Sequence, residues 1–233
     1  GASFQWIRAT VTGISNIANS GTGNPNETLI NTTTSPISVT YVYTVAVNGC
    51  TSGNSYSVVV IVNPAAVLSS SLTPTVCSGT TFNYTPTSTT PGANFTWSRA
   101  TVAGITEPGT TGTANVSEQL TNTTTTAIHV TYVYTTNTSA CSSTSQNVVL
   151  TVNPLPTVSL QPFTAPVCIQ AGTIILTGGT PVGGTYAGTA VSAGAFNPVT
   201  AGIGNESITY TVTTNGCSNA ASQTISVQLC SGV

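Results

Sequence analysis

Few side chains in this chain of 233 residues could do chemistry. Six are cysteines: Cys50, Cys77, Cys141, Cys168, Cys217 and Cys230. None forms a Cys-x-x-Cys pair and there is one histidine, so zinc has no ligand set. Cysteines spaced this widely among strand-forming residues point to disulfides made in an oxidising compartment. Four glutamates and two arginines carry all the charge, with no lysine and no aspartate. Glycoside hydrolysis needs two facing carboxylates. Glu27 and Glu118 each stand alone, and Glu107 sits on a Pro-Gly turn. His129 falls on the polar side of an alternating strand, with no nucleophile–base arrangement around it. Calcium cages need clustered carboxylates, and an intramolecular isopeptide bond needs a lysine. The residues therefore point to no enzyme, no cofactor and no metal.

The composition narrows the partners. Net charge is −2 and charged residues are 3% of the chain, so nothing can neutralise a phosphate backbone or an anionic membrane surface. No run of eighteen apolar residues would cross a bilayer. Disorder needs low hydrophobicity with high net charge, and a mean hydropathy of +0.26 argues against it. Thr, Val, Ile and Tyr, all strand formers, recur along the chain. The fold class is all-β, with helix nearly absent.

These residues sit on a repeat. FQWIRATVTGI, GTGNPNETLINTTTSPISVTYVYT and a cysteine run from Phe4 to Cys50. FTWSRATVAGI, GTANVSEQLTNTTTTAIHVTYVYT and a cysteine recur 91 residues later, from Phe95 to Cys141. Alternation at Ile37, Val39, Tyr41, Tyr43 and Val45 predicts a half-buried strand. Asn63-Pro64 and Asn153-Pro154 end the apolar strands that precede them. Three units follow: an incomplete one over 1–64, a complete one over 65–154 and a divergent one over 155–233. Six or seven short strands per unit predict tandem Greek-key β-sandwiches in a linear array. The second copy holds Cys77 and a Thr81–Tyr84 strand ahead of the aligned start, and the first copy has neither. Its missing strands are expected to be absent, to lie in flanking sequence, or to be supplied by another chain. Residues 228–233 resemble the stretch around Cys77, so they open a further repeat or donate a strand.

The repeat also assigns roles. Cys77 with Cys141, and Cys168 with Cys217, are expected to close one disulfide inside each unit. Cys50 aligns with Cys141. Its partner is either Cys230 of a neighbouring chain, head to tail, or a cysteine in flanking sequence. Trp6 and Trp97 are expected in the core, the alternative being exposed rings that stack on sugars. Arg8 with Glu27, and Arg99 with Glu118, keep matching offsets and predict cross-strand ion pairs that specify register. Asn31-Thr32-Thr33 and Asn122-Thr123-Thr124 are weak glycan-attachment signals in a Thr-rich chain.

With those residues in view, CSGTTFNYTPTSTTPGANFTWSRATVAGI and the NVSEQLTNTTTTAIHVTYVYT run resemble the PKD-like repeats of Bacteroidota surface proteins. CIQAGTIILTGGTPVGGTYAGTAVSAGAFNPVTAGIGNESITYTVTTNGC resembles the Ig-like repeats found beside them. The resemblance implies β-sandwich arrays outside the cell, in large proteins exported by the type IX secretion system. Some of those are gliding adhesins, and others form fibres or enzyme stalks. It brings no catalytic residues. A complete substrate of that system carries a C-terminal sorting domain, so this chain is expected to be a segment or processed piece. The expected function is a non-catalytic, disulfide-clamped stalk or fibre, with neighbouring repeats or identical subunits as partners. The alternative is a carbohydrate-binding array with surface glycans as partners. Tyr186 in a Gly-rich hairpin is the candidate platform; a packed Tyr186 would favour the scaffold.

Overall fold

A computed structural model describes residues 1–138 and 141–230, the side chains of 141–143 excepted. The regular structure is nearly all strand and forms three consecutive sets of sheets. The first contains β1 (Ala2–Arg8), β2 (Asn19–Thr22), β3 (Ile37–Val47) and β4 (Cys50–Val62), in the order β2-β1-β3-β4. The second contains β5 (Thr75–Cys77), β6 (Thr81–Tyr84), β7 (Asn94–Arg99), β8 (Thr110–Thr113), β9 (Val116–Gln119), β10 (Ile128–Thr138) and β11 (Cys141–Asn153). Here β5-β11-β10-β7-β8 form one layer and β6-β9 the other. All neighbours are antiparallel except β5, which runs parallel to β11.

The third set has shorter strands: β12 (Ser159–Leu160), β13 (Val167–Cys168), β14 (Ile174–Ile175), β15 (Gly179–Thr180), β16 (Thr185–Ala187), β17 (Val191–Ser192) and β18 (Ala195–Phe196). A one-turn helix α1 (Pro198–Ala201) precedes the long hairpin β19 (Gly204–Thr214) and β20 (Cys217–Gln228). Asn197 caps that helix, its side chain accepting from the Val199 and Thr200 N–H groups.

Period-two patterning builds each core. On β10, Val130, Tyr132 and Tyr134 point inward and are fully buried. They meet Val148, Leu150 and Val152 of β11 on the same face, and Phe82, Tyr84 and Val116 from the facing layer. The first set has the same register on β3 and β4, with Val39 opposite Val60 and Tyr41 opposite Val58. Among the described residues it has no counterparts of β5 and β6, and its hydrophobic core is reduced to Trp6, Ile14, Val39 and Tyr41.

Two backbone features make these sheets possible. Asn48-Gly49 and Asn215-Gly216 turn their hairpins with positive φ at both positions (49° and 81°, 51° and 78°), the signature of the tight turn whose twist matches the strands. Trp6 lies opposite Gly21 on β2 and Trp97 opposite Gly112 on β8. A Cβ at Gly21 would stand 2.8 Å from the indole, and one at Gly112 2.6 Å. Each glycine is the floor on which its tryptophan lies.

The Asn-Thr-Thr triplets are structural. The Asn122 side chain donates to the Thr126 and Val152 carbonyls at 2.8 and 2.9 Å and accepts from Thr124 N–H and Oγ1. Asn31 repeats the pattern with Ser35, Val62 and Thr33. Both are buried, and both amide hydrogens are engaged. A glycan on either nitrogen would strand buried carbonyls, which corrects the glycan reading at these two positions.

Candidate functional site

The disulfides depart from the expected pairing. Cys77 is bonded to Cys217, with Cα atoms 5.5 Å apart, and Cys168 to Cys230, with Cα atoms 5.3 Å apart. Strand length is the reason. Parallel pairing places Cys77 beside Asn153, the last residue of β11. Cys141 is the first residue of that thirteen-residue strand, about 40 Å away at the usual rise. A disulfide needs Cα atoms within about 7 Å. The Cys141 side chain lies outside the described residues, and the Cys77–Cys217 bond overturns a Cys77–Cys141 bridge. Likewise Cys168 lies beside Gln228 at the end of β20, whereas Cys217 opens it. The Cys50–Cys230 link between chains falls for the same reason, since Cys230 is already bonded to Cys168. Residues 231–233, part of the 228–233 stretch expected to open a further repeat or donate a strand, lie outside the described residues. Cys50 is an exposed thiol just beyond the Asn48-Gly49 turn.

The Cys77–Cys217 bond therefore crosses a junction. The tip of the β19–β20 hairpin reaches back to the end of β11. Asn153 Nδ2 donates to the Asn215 carbonyl at 3.2 Å. Behind this contact, Thr124, Pro154, Leu155, Pro156, Pro181 and Thr214 help to line a cavity of about 550 Å³. One covalent and one polar tie thus back up a single strand of linker.

Each arginine meets its glutamate, but across layers and not along one sheet. Arg99 ends β7 in the large sheet, and Glu118 lies on β9 in the small one. Arg99 Nε and Nη2 donate to the two Glu118 oxygens at 3.1 Å each, and Tyr132 Oη donates to Oε2 at 2.5 Å. Arg8 and Glu27 form the same fork at 2.9 and 2.8 Å, joined by Tyr41 at 2.7 Å and Asn19 at 2.8 Å. Arg8 also donates to the Ile17 carbonyl, and Arg99 to that of Pro108. In the first set residues 25–28 form no strand, so this fork is what tethers them.

The Arg8 hydrogen bonds, helped by Asn19 and Tyr41 and opposed by burial, lower the Glu27 carboxyl from 4.5 to about 2. A carboxyl depressed on folding stabilises fully above its unfolded value and loses that contribution as pH falls through its folded one. The stability of the first set is therefore expected to decline below about pH 4.5, with the Glu27 share gone below about pH 2. Denaturant midpoints followed through Trp6 in a Trp97→Phe chain measure this. Glu27→Gln should flatten the curve in that window; an unchanged pH dependence would contradict the assignment.

The remaining candidates are structural. Trp6 and Trp97 are buried, each edge-on to a tyrosine at 5.5 Å. Their indole Nε1 atoms are buried without a hydrogen-bond partner. Tyr186 is packed: its ring centroid lies 4.6 Å from that of Tyr210, and its hydroxyl accepts from Gly179 N–H at 2.9 Å. His129 is exposed beside Thr151. Glu107 accepts from Thr106 Oγ1 and Thr121 N–H. The junction bond is what residue-by-residue reading missed.

The repeat, the long hairpin sheet and the buried Arg–Glu–Tyr sets recur in both copies, and a family description fits both. The PKD-like domain profile matches residues 1–66 and 74–156. The chain belongs to the PKD-like domain family. Both PKD-like matches end just beyond an Asn-Pro stop, and residues 157–233 lie outside them. No curated protein matches this PKD-like chain. Among solved structures it is similar to the insect immune protein hemolin (12% identity, 82% of this chain, 56% of that one, TM-score 0.34). It is also similar to Drosophila OTK extracellular domains 3–5 (10%, 97%, 85%, 0.35) and to titin domains I67–I69 (12%, 97%, 88%, 0.31). The chain thus spans just over half the length of the hemolin chain.

Proposed function

We propose that this chain is a tension-carrying stretch of an extracellular surface adhesin or filament, built from three sandwich units divided near residues 64 and 154, the second and third tied by disulfides. The observation that carries the reading is the Cys77–Cys217 bond, because it ties the end of one sandwich to the hairpin tip of the next. A bond there keeps the second sandwich out of the path of tension. Disulfides of this kind belong to oxidising surroundings outside the cytoplasm. Scarce charge leaves trypsin-like proteases two cleavage sites, Arg8 and Arg99. The glutamates of both repeats are engaged in structural bonds, which supports a non-catalytic role. The packing of Tyr186 on Tyr210 supports the scaffold reading over a glycan-binding one. Export by the type IX system of a Bacteroidota cell, and a role in gliding adhesion, are the finer forms of the proposal implied by the family resemblance. Antibody raised against the chain is expected to label intact, unpermeabilised source cells or their shed fibres. Label that appears only after permeabilisation would contradict the proposal.

A further inference from the structure

The two copies of the repeat show one sheet face in two states. In the second copy, Val148 and Leu150 of β11 are 0% exposed. Their counterparts on β4, by pairing register with β3, are Val58 and Val60, which are 49% and 39% exposed. The difference is the cover. Residues 66–84 lie across the second face, with Leu68, Phe82 and Tyr84 in its core. The Phe82 ring centroid lies 5.6 Å from that of Tyr132, and the Tyr84 centroid 5.5 Å from that of Tyr134. The first copy presents the same two tyrosines, Tyr41 and Tyr43, to a groove of about 520 Å³ that Leu29, Val58, Val60 and Val62 also line.

The groove has two open backbone edges as well as an apolar floor. In the second copy, Val149 and Thr151 N–H donate to the Leu72 and Pro74 carbonyls at 2.8 and 2.9 Å. Their counterparts are Val59 and Ile61, on a strand paired on one side only. Glu118 lies on β9, which pairs with β6; Glu27, its counterpart, lies on a segment with no strand beside it. An unpaired edge beside an apolar face accepts an added strand.

We propose that this groove is a socket for an extended segment of the kind residues 66–84 supply, carried on the N-terminal side of β1 in the same polypeptide. The occupant has a β5-like strand parallel to β4. It also has an aromatic-x-Tyr pair that seats on Tyr41 and Tyr43 as Phe82 and Tyr84 seat on Tyr132 and Tyr134. Cis delivery follows from the second copy, where one short loop joins Tyr84 to Asn94 and so links cover to sheet. The occupant also carries a cysteine. Cys77 lies beside Asn153 and bonds the hairpin cysteine of the next sandwich. The counterpart of Asn153 is Asn63. Asn63 shares a small cavity with Thr138, the cross-strand neighbour of Cys141 at the tip of the next hairpin. The incoming cysteine therefore bonds to Cys141, which repeats the Cys77–Cys217 tie one junction earlier. The bond forms by exchange with a disulfide oxidant: two thiols lose two protons and two electrons, and one oxidant disulfide becomes two thiols. This inference rests on the proposed function only in taking the sandwich as the building unit.

The test places a second copy of residues 65–91 ahead of Gly1 in the full chain and oxidises it with glutathione disulfide. Hydrogen exchange at Val59 and Ile61 should slow at least 100-fold relative to the unaltered chain. Peptide mapping should show the added cysteine linked to Cys141. As a second arm, a synthetic peptide of residues 65–91 added to the unaltered chain should slow exchange at the same two amides. Unchanged exchange in both arms overturns the socket. A bond from the added cysteine to Cys50 overturns the junction assignment. Protection that appears only as the extended chain oligomerises overturns cis delivery. None of these outcomes depends on where the chain resides in the cell, so failure here is distinct from failure of the surface reading.

Discussion

Glu118→Ala is expected to destabilise the second sandwich by about 3–5 kcal/mol, the range for removing one partner of a buried ion pair. The Arg99 side chain is 1% exposed and its guanidinium is gripped by both Glu118 oxygens. Without the carboxylate, the cation keeps only the Glu107 and Pro108 carbonyls, and the Tyr132 hydroxyl loses its acceptor. The pair also ties β7 to β9, so its loss removes a polar tie between the two sheets and leaves their shared apolar core to hold them. Replacing both partners together, Arg99→Met with Glu118→Leu, should recover most of the loss, because an apolar pair leaves no buried charge. Denaturant unfolding followed by Trp97 fluorescence in a Trp6→Phe chain measures both. A cost below about 1 kcal/mol for Glu118→Ala, the level of an exposed pair, would show that the fork is solvated.

Much of this fold was legible in the chain itself. Alternation at Val130, Tyr132 and Tyr134 placed the core strand, and the Asn-Pro stops placed the ends of β4 and β11. The matching offsets of Arg8 with Glu27 and Arg99 with Glu118 announced the forks. Their bridging of two layers was not announced, because β9 is four residues long and pairs with a strand thirty residues upstream. Gly21 and Gly112 recur at one offset, a signal for a ring lying against the backbone that was there to be used. The disulfides were misread because cysteine order gives no strand direction. Nothing in Thr75-Val76-Cys77 says that this strand pairs with Thr151–Asn153, and that register places Cys77 at the far end of β11 from Cys141. In the third set, strands of two or three residues are too short for periodicity to show, and the fold there follows from Gly-rich turns and the long β19–β20 hairpin.

The central claim is that the Cys77–Cys217 bond shields the second sandwich and most of the third from tension. The bond closes a span of 140 residues. Fully stretched, that span is worth roughly 480 Å of contour. Pulling one molecule by its two ends in oxidising buffer should release the first sandwich and leave the closed span unextended. Repeating the pull in dithiothreitol, which opens both disulfides, should add roughly 480 Å as further unfolding steps; a Cys77→Ser chain in oxidising buffer, where the Cys168–Cys230 bond still closes its 62 residues, should add roughly 270 Å. Release of the full contour length in oxidising buffer, with no gain on reduction, would contradict the account.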